Sequence, residues 1–253
     1  MGRLIGKNVV ISGVGSGIGL EASTVLCNEG ARVVGVARSK DIGGALESEL
    51  RAKGHDFTYV RADVSDEQDV AALARQVEAL FGGLDVLVNN AGVAVGNHIL
   101  QTTDEEWDRV QAAAVRGSFL MTRALGQLMG QGGSIINMSS TGGLVALPNM
   151  AAYCASKGAV LAMTRAMAVE LAPQIRVNAI CPGAIDTPMS WQLYGEVPGK
   201  TVDEVATGFA GAHLVKRLGR PDEVCRLIVF LASDEASFMT GAGVAVDGGF
   251  TTV

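Results

Sequence analysis

The stretch Val9-Val10-Ile11-Ser12-Gly13-Val14-Gly15-Ser16-Gly17-Ile18-Gly19 decides how the chain is read. A short apolar run enters a glycine-dense turn, and a helical pattern begins at Ile18 and runs to a stop at Gly30. Strand, tight loop and helix in that order form a cradle for an anion. Gly13 permits the turn, Gly17 lets a pyrophosphate approach the backbone, and Gly19 allows close packing, with the anion at the helix N-terminus near Ser16 and Ile18. The spacing from Gly13 to Gly17 is one residue longer than in the GxGxxG form, which marks a variant of the nucleotide fold.

Working outward, the alternation repeats. Residues 31–37, 57–61 and 84–88 read as buried strands, and 42–53 and 66–80 as the helices between them. Downstream, 103–129 reads as one long helical region or two joined ones, 134–138 as a strand and 152–172 as a helix broken by Pro173. A strand at 176–180, a late helix at 222–231 and a last short strand at 243–246 complete the pattern. This rhythm implies right-handed crossovers and an α/β fold: a single-domain, Rossmann-type, doubly wound parallel sheet with helices on both faces. Residues 1–253 are expected to form that one domain. The segment 185–216 breaks the rhythm with Pro188 and Pro198 and reads as a substrate lid inserted after a strand end.

Composition narrows the function. Of 253 residues 48% are hydrophobic and 18% charged, enough for one large core. Glycine, at 33 residues, is well above the usual ~7%. The net charge of −6 repels a phosphate backbone, so nucleic acid is an unexpected partner. The N-terminal residues carry no signal-like apolar stretch and no 18-residue apolar span occurs, so a cytoplasmic location away from the membrane is expected. The four cysteines Cys27, Cys154, Cys181 and Cys225 are scattered without ligand spacing, which suggests neither disulfides nor a metal site.

The second strand ends Gly35-Val36-Ala37-Arg38-Ser39, with no acid before Asp41 to accept from a ribose 2′-hydroxyl. Arg38 and Ser39 are instead suited to a 2′-phosphate, so NADP(H) is favoured, with NAD(H) as the alternative. Farther on, Tyr153 and Lys157 lie four apart on a helix and share a face. An ammonium beside a phenol favours the phenolate and brings proton transfer toward neutral pH. Ser140, at the end of the fifth strand, is placed to hydrogen-bond a substrate oxygen, and Ser139 beside it reads as structural.

With the glycine pattern, Asn89-Asn90-Ala91-Gly92, Ser140, Tyr153-Cys154-Ala155-Ser156-Lys157, Asn178, Pro182-Gly183, Thr187-Pro188 and Asp247-Gly248-Gly249 in that order, the whole chain closely resembles the classical short-chain dehydrogenases/reductases. The resemblance implies that Tyr153 is the acid/base, that Lys157 lowers its pKa and binds the nicotinamide ribose, and that Ser140 orients and polarises a carbonyl. It also implies that Asp63 and Val64 contact the adenine, that Asn90, Ala91 and Gly92 wall the cofactor, and that Pro182, Gly183, Ile185 and Thr187 border the nicotinamide. The implied assembly is a homotetramer, or a dimer, built through helices within 103–129 and 152–172.

The chain departs from the family at one position. The fourth catalytic residue of the family is an asparagine, and here the matching residue after Trp107-Asp108-Arg109-Val110 is Ala114. Alanine offers no side-chain hydrogen bond for the water of a proton relay, and Gln111, on the same helix face, is a candidate substitute.

On the substrate side Thr141, Leu144, Leu147, Met150, Met189, Trp191, Leu193 and Tyr194 are the expected pocket residues. Mostly apolar and without Lys or Arg, they suggest a neutral alcohol or ketone, although Lys216, Arg217 and Arg220 lie downstream for an anionic tail. His98 and His213 read as loop or surface residues. The expected activity is therefore NADP(H)-linked interconversion of a secondary alcohol and a ketone. An epimerase or dehydratase, or a cofactor-sensing binding protein, are the alternatives.

Overall fold

The computed structural model describes residues 2–195, 197 and 199–252; Pro198, expected in the lid, lies outside the described residues. Seven strands form one parallel sheet in the order β3-β2-β1-β4-β5-β6-β7, with β1 Asn8–Ser12, β2 Arg32–Ala37, β3 Phe57–Arg61, β4 Leu84–Asn89, β5 Met129–Met138, β6 Ile175–Pro182 and β7 Gly243–Val246. The order reverses direction between β1 and β4, and the carboxyl ends of those strands open the crevice in which such sheets hold ligands.

The central strands are apolar on both sides because helices cover both faces. Val9, Ile11, Val86, Val88, Ile136 and Ile180 point to one face, where α1 (Gly17–Asn28), α2 (Lys40–Ala52) and α9 (Pro221–Ala232) supply Leu26, Leu50 and Ile228. Their neighbours Val10, Val34, Leu87, Ile135 and Val177 point to the other. There they meet Leu73 of α3 (Glu67–Phe81), Met121 of α5 (Gly117–Leu125) and Ala168 of α6 (Ala151–Leu171). This period of two is the strand pleat expressed as two cores.

Helix ends follow local chemistry. Asp66 accepts from the Gln68 and Asp69 amides at 2.7 and 3.0 Å to start α3, and Gly82, at φ 71°, ends it. Thr103 and Glu106 form a reciprocal capping box on α4 (Asp104–Gln111).

The region 103–129, expected as one long helical region or two joined ones, holds α4 and α5 joined by a π-turn, Ala112–Arg116, and departs from the expectation at its end, where Met129 belongs to β5. Strand β5 is thus longer than expected at its amino end, because its first residues pair beyond a register shift between Leu84 and Val86. The segment 185–216 folds into two short helices, α7 (Pro188–Gly195) and α8 (Val202–Ala212), the second opened by a Thr201–Glu204 capping box. Among the described residues no helix is long and apolar enough to cross a membrane, and no group of three or more His, Cys, Asp or Glu is placed to hold a metal ion.

Candidate active site

The glycine turn builds the inner end of a cleft. Gly13 (φ 77°) and Gly17 (φ 56°) occupy left-handed backbone, and a Cβ on Gly19 would stand 2.2 Å from the Gly13 carbonyl. The Asn90 side chain clamps this turn by donating to the Ser12 carbonyl at 2.9 Å. Ser16 stands at the N-cap of α1 without a side-chain cap, so no hydroxyl competes for the first amides of the helix. Uncapped amides beside a turn with no room for side chains fit a pyrophosphate.

Two contiguous depressions continue from this turn. Gly13, Ser16, Gly17, Ile18, Gly19, Asn90, Ala91, Gly92, Pro182, Gly183, Ile185 and Thr187 line the inner one together with Ser140, Tyr153 and Lys157. Arg38, Ser39, Asp63 and Val64 line the outer one, across from Arg109, Ala112 and Ala113. Asp63 is half-buried. Burial would raise its pKa, but the Ser65 amide (2.9 Å) and hydroxyl (2.6 Å), with Arg38, outweigh that and hold it below the ordinary carboxylate value. Arg38 itself is largely exposed, with a 3.9 Å ion pair to Asp63. Ser39 caps α2 without a side-chain bond.

At the deep end of the inner cleft Ser140 follows β5, and its Oγ accepts from the Gly142 amide at 3.1 Å. That bond anchors the oxygen and leaves the hydroxyl hydrogen to aim outward. The Ser140 hydroxyl faces the Tyr153 phenol. Ser139 turns inward and donates to the Lys157 carbonyl at 2.9 Å, tying β5 to α6.

Lys157 is buried, with Nζ donating to the Met138 carbonyl at 2.8 Å and lying 5.6 Å from the Tyr153 ring centre. Burial pulls its pKa down to about 8, with Cys181 acting weakly in the other sense. Burial also pushes the Tyr153 phenol above its ordinary value, and the Ser140 hydroxyl offsets this only in part. The expectation that lysine proximity lowers the phenol is not met: burial raises the Tyr153 pKa, and the Lys157 ammonium, 5.6 Å from the ring centre, does not bring it down.

Ala114 is buried in the π-turn. Its carbonyl accepts from the Ser118 hydroxyl at 2.7 Å, while Gln111 donates its amide to the Ala152 carbonyl at 3.2 Å, one residue before Tyr153. Gln111 thus pins α4 to the start of α6.

A second cavity of about 310 Å³ adjoins the inner cleft and shares with it Ser140, Tyr153, Gly183, Met189 and Ser190. Of the expected pocket residues Thr141, Leu147, Met150, Met189, Leu193 and Tyr194 line it. Leu144 and Trp191 are instead exposed at the surface, and the Trp191 indole donates to Asp186 at 2.6 Å.

His98 and His213 both reach the cavity wall. His98 is at an exposed position, as read, but His213 is buried and this corrects the surface reading. Its Nδ1 bonds the Phe209 carbonyl at 2.6 Å, its Nε2 accepts from the Ala184 amide at 3.2 Å, and its ring lies against Phe250. This joins α8, the end of β6 and the C-terminal segment. Nothing local marked His213, because its partners are far apart in sequence. The basic residues proposed for an anionic tail are engaged elsewhere: Arg217 and Arg220 pair with Glu223 and Asp222, and Lys216 donates to the Gly211 carbonyl at 2.7 Å.

A family model described as enoyl-(acyl carrier protein) reductase matches residues 13–251. The chain is 41% identical to the cyclopentanol dehydrogenase of Comamonas testosteroni over 254 residues, covering 99% of each. It is 37% identical to 2-(S)-hydroxypropyl-CoM dehydrogenase 3 of Xanthobacter autotrophicus, again over 99% of each. The crystal structure of levodione reductase superposes with a TM-score of 0.95 at 33% identity, covering 99% of this chain and all of the other.

Proposed function

The chain belongs to the short-chain dehydrogenase/reductase family, and on that footing we propose that it interconverts a neutral, largely apolar secondary alcohol and its ketone with NADP(H). That it is an oxidoreductase of alcohol and ketone substrates with a nicotinamide-binding fold follows from the family. The observation that carries the finer reading is the seam at Ser140 and Tyr153, the pair that lines both the dinucleotide cleft and the apolar cavity.

Gly13, Ser16, Gly17, Ile18 and Gly19 hold the pyrophosphate, Asp63 and Val64 the adenine, and Arg38 with Ser39 the 2′-phosphate. Asn90, Ala91 and Gly92, with Pro182, Gly183, Ile185 and Thr187, border the nicotinamide end. A bound nicotinamide supplies the hydride for reduction and takes it up in oxidation.

This chain's residues handle the oxygen. Ser140, its Oγ held by the Gly142 amide, donates its hydrogen to the substrate oxygen and polarises the carbonyl. Tyr153 gives the proton in reduction and takes it in oxidation. Lys157, mostly charged at neutral pH, holds its ammonium against the Met138 carbonyl and binds the ribose. Helices α7 and α8 act as the lid over the substrate cavity. The working assembly is a homotetramer and its place is the cytoplasm.

The test is steady-state reduction of small cyclic and acyclic ketones with NADPH and NADH. Tyr153→Phe should abolish turnover while dinucleotide affinity stays within a few fold, because the ring still packs and only the proton is lost. Ordinary turnover by this variant would remove Tyr153 from the mechanism.

A further inference from the structure

Arg38 and Ser39 stand on a turn whose backbone is held by the neighbouring edge strand. They follow β2, and β3 lies beside β2 with Tyr59 across from Gly35 and Arg61 across from Ala37. Tyr59 lies on the face of β3 that α2 covers, and its hydroxyl reaches past the end of β2. Its oxygen is 2.8 Å from the Ala37 carbonyl and 2.7 Å from the Ser39 carbonyl, so its one hydrogen is shared between acceptors on either side of Arg38. The carbonyl between them, that of Arg38, accepts from Arg61 Nε at 3.1 Å. Every carbonyl of the turn 37–39 is thus met by a side chain of β3. Burial pushes the Tyr59 phenol above its ordinary value, with Arg61 acting in the other sense, so the hydroxyl stays a donor.

The chain gives up helix propensity to bring the phenol there. Gly43 stands inside α2, where glycine is a poor residue, and a Cβ on it would lie 2.1 Å from the Tyr59 ring. Phenylalanine would pack against that bare backbone as well as tyrosine does, so packing alone does not call for the hydroxyl. Arg38 has little else to fix it, since its side chain is 72% exposed and its pair with Asp63 is 3.9 Å long. What can be set before a nucleotide arrives is the direction in which the backbone launches the Arg38 side chain, and the carbonyls on either side of it set that direction.

We propose that Tyr59 is a positioning residue for the choice of dinucleotide: it holds the turn 37–39 in the shape that aims Arg38 and Ser39 at the 2′-phosphate, and so favours NADPH over NADH. This rests on the reading of Arg38 and Ser39 as the phosphate residues. Tyr59 does not itself line the outer depression, so it acts through the turn. NADH carries no 2′-phosphate for Arg38 to meet, and the clamp therefore adds nothing to its binding.

The experiment is fluorescence titration of NADPH and of NADH into wild type, Tyr59→Phe, Arg38→Ala and the double variant. Tyr59→Phe should weaken NADPH by about threefold to tenfold, the worth of one neutral hydrogen bond, and leave NADH within about twofold. In the Arg38→Ala background the same change should lose most of its effect on NADPH, because the side chain it aims is gone. An unchanged NADPH-to-NADH ratio in Tyr59→Phe, with both affinities kept or both weakened alike, would overturn the inference. A full effect in the Arg38→Ala background would overturn it too, by marking a merely structural role. Wild type that binds NADH as tightly as NADPH would instead remove the phosphate role of Arg38 and Ser39, and with it the ground on which the inference stands.

Discussion

Replacing Lys157 by methionine should stabilise the unliganded protein at pH 7 while abolishing turnover. The lysine is buried, no carboxylate among the described residues pairs with it, and its pKa is drawn from 10.5 to about 8. Because the unfolded chain binds this proton more tightly than the folded one, the ammonium weakens the fold below pH 8 by about 3 kcal/mol. Methionine keeps the length of the side chain and removes the charge. Against that gain stands the Met138 carbonyl, which loses its 2.8 Å bond. An unsatisfied buried acceptor costs about 1–3 kcal/mol.

The net expected gain is up to about 2 kcal/mol, which for a chain of this length raises Tm by up to about 8 °C. The pH dependence supplies the sharper check. Between pH 8 and 10.5 the unfolded wild-type chain holds more protons than the folded one, so wild type gains stability as pH rises. The advantage of the variant should shrink across that window and reverse near its upper end, where only the unsatisfied carbonyl remains. Thermal unfolding of both proteins at fixed concentration from pH 7 to pH 10 measures this. A variant less stable at pH 7, or a difference that does not change with pH, would refute the reasoning that burial governs Lys157.

Two further substitutions probe the ends of the cleft. Arg38→Asp should weaken NADPH binding by at least about tenfold, the value of one charge-assisted pair, and leave NADH within a few fold; fluorescence titration decides, and equal or tighter NADH binding by wild type would remove the phosphate role of Arg38. His213→Ala should cost about 2–4 kcal/mol by opening a hole and freeing the Phe209 carbonyl and Ala184 amide. It should raise KM for ketone more than it lowers kcat, and denaturant unfolding beside steady-state kinetics checks both parts.

What the amino-acid sequence determined by itself is whatever rests on local pattern. The strand-turn-helix around Gly13, Gly17 and Gly19 is legible because left-handed backbone and close approach admit only glycine there. The alternating elements are legible because a sheet covered on both faces needs apolar runs. Tyr153 and Lys157 stand on one helix face because they are four residues apart, and the ordered motifs identify the family.

Tertiary structure decided the rest. Whether the phenol is drawn down by Lys157 or pushed up by burial depends on how far the ammonium lies from the ring and how dry the site is, and spacing on a helix fixes neither. The π-turn that buries Ala114 arises where α4 and the turn itself pack against α6, and no run of alanines announces it. Trp191 and Tyr194 share one short helix, yet one faces solvent and the other the cavity, because only the packing of α8 distinguishes its two sides. His213 takes its role from Phe209, Ala184 and Phe250 on three separate segments, and such a meeting exists only once the sheet has brought its strand ends together.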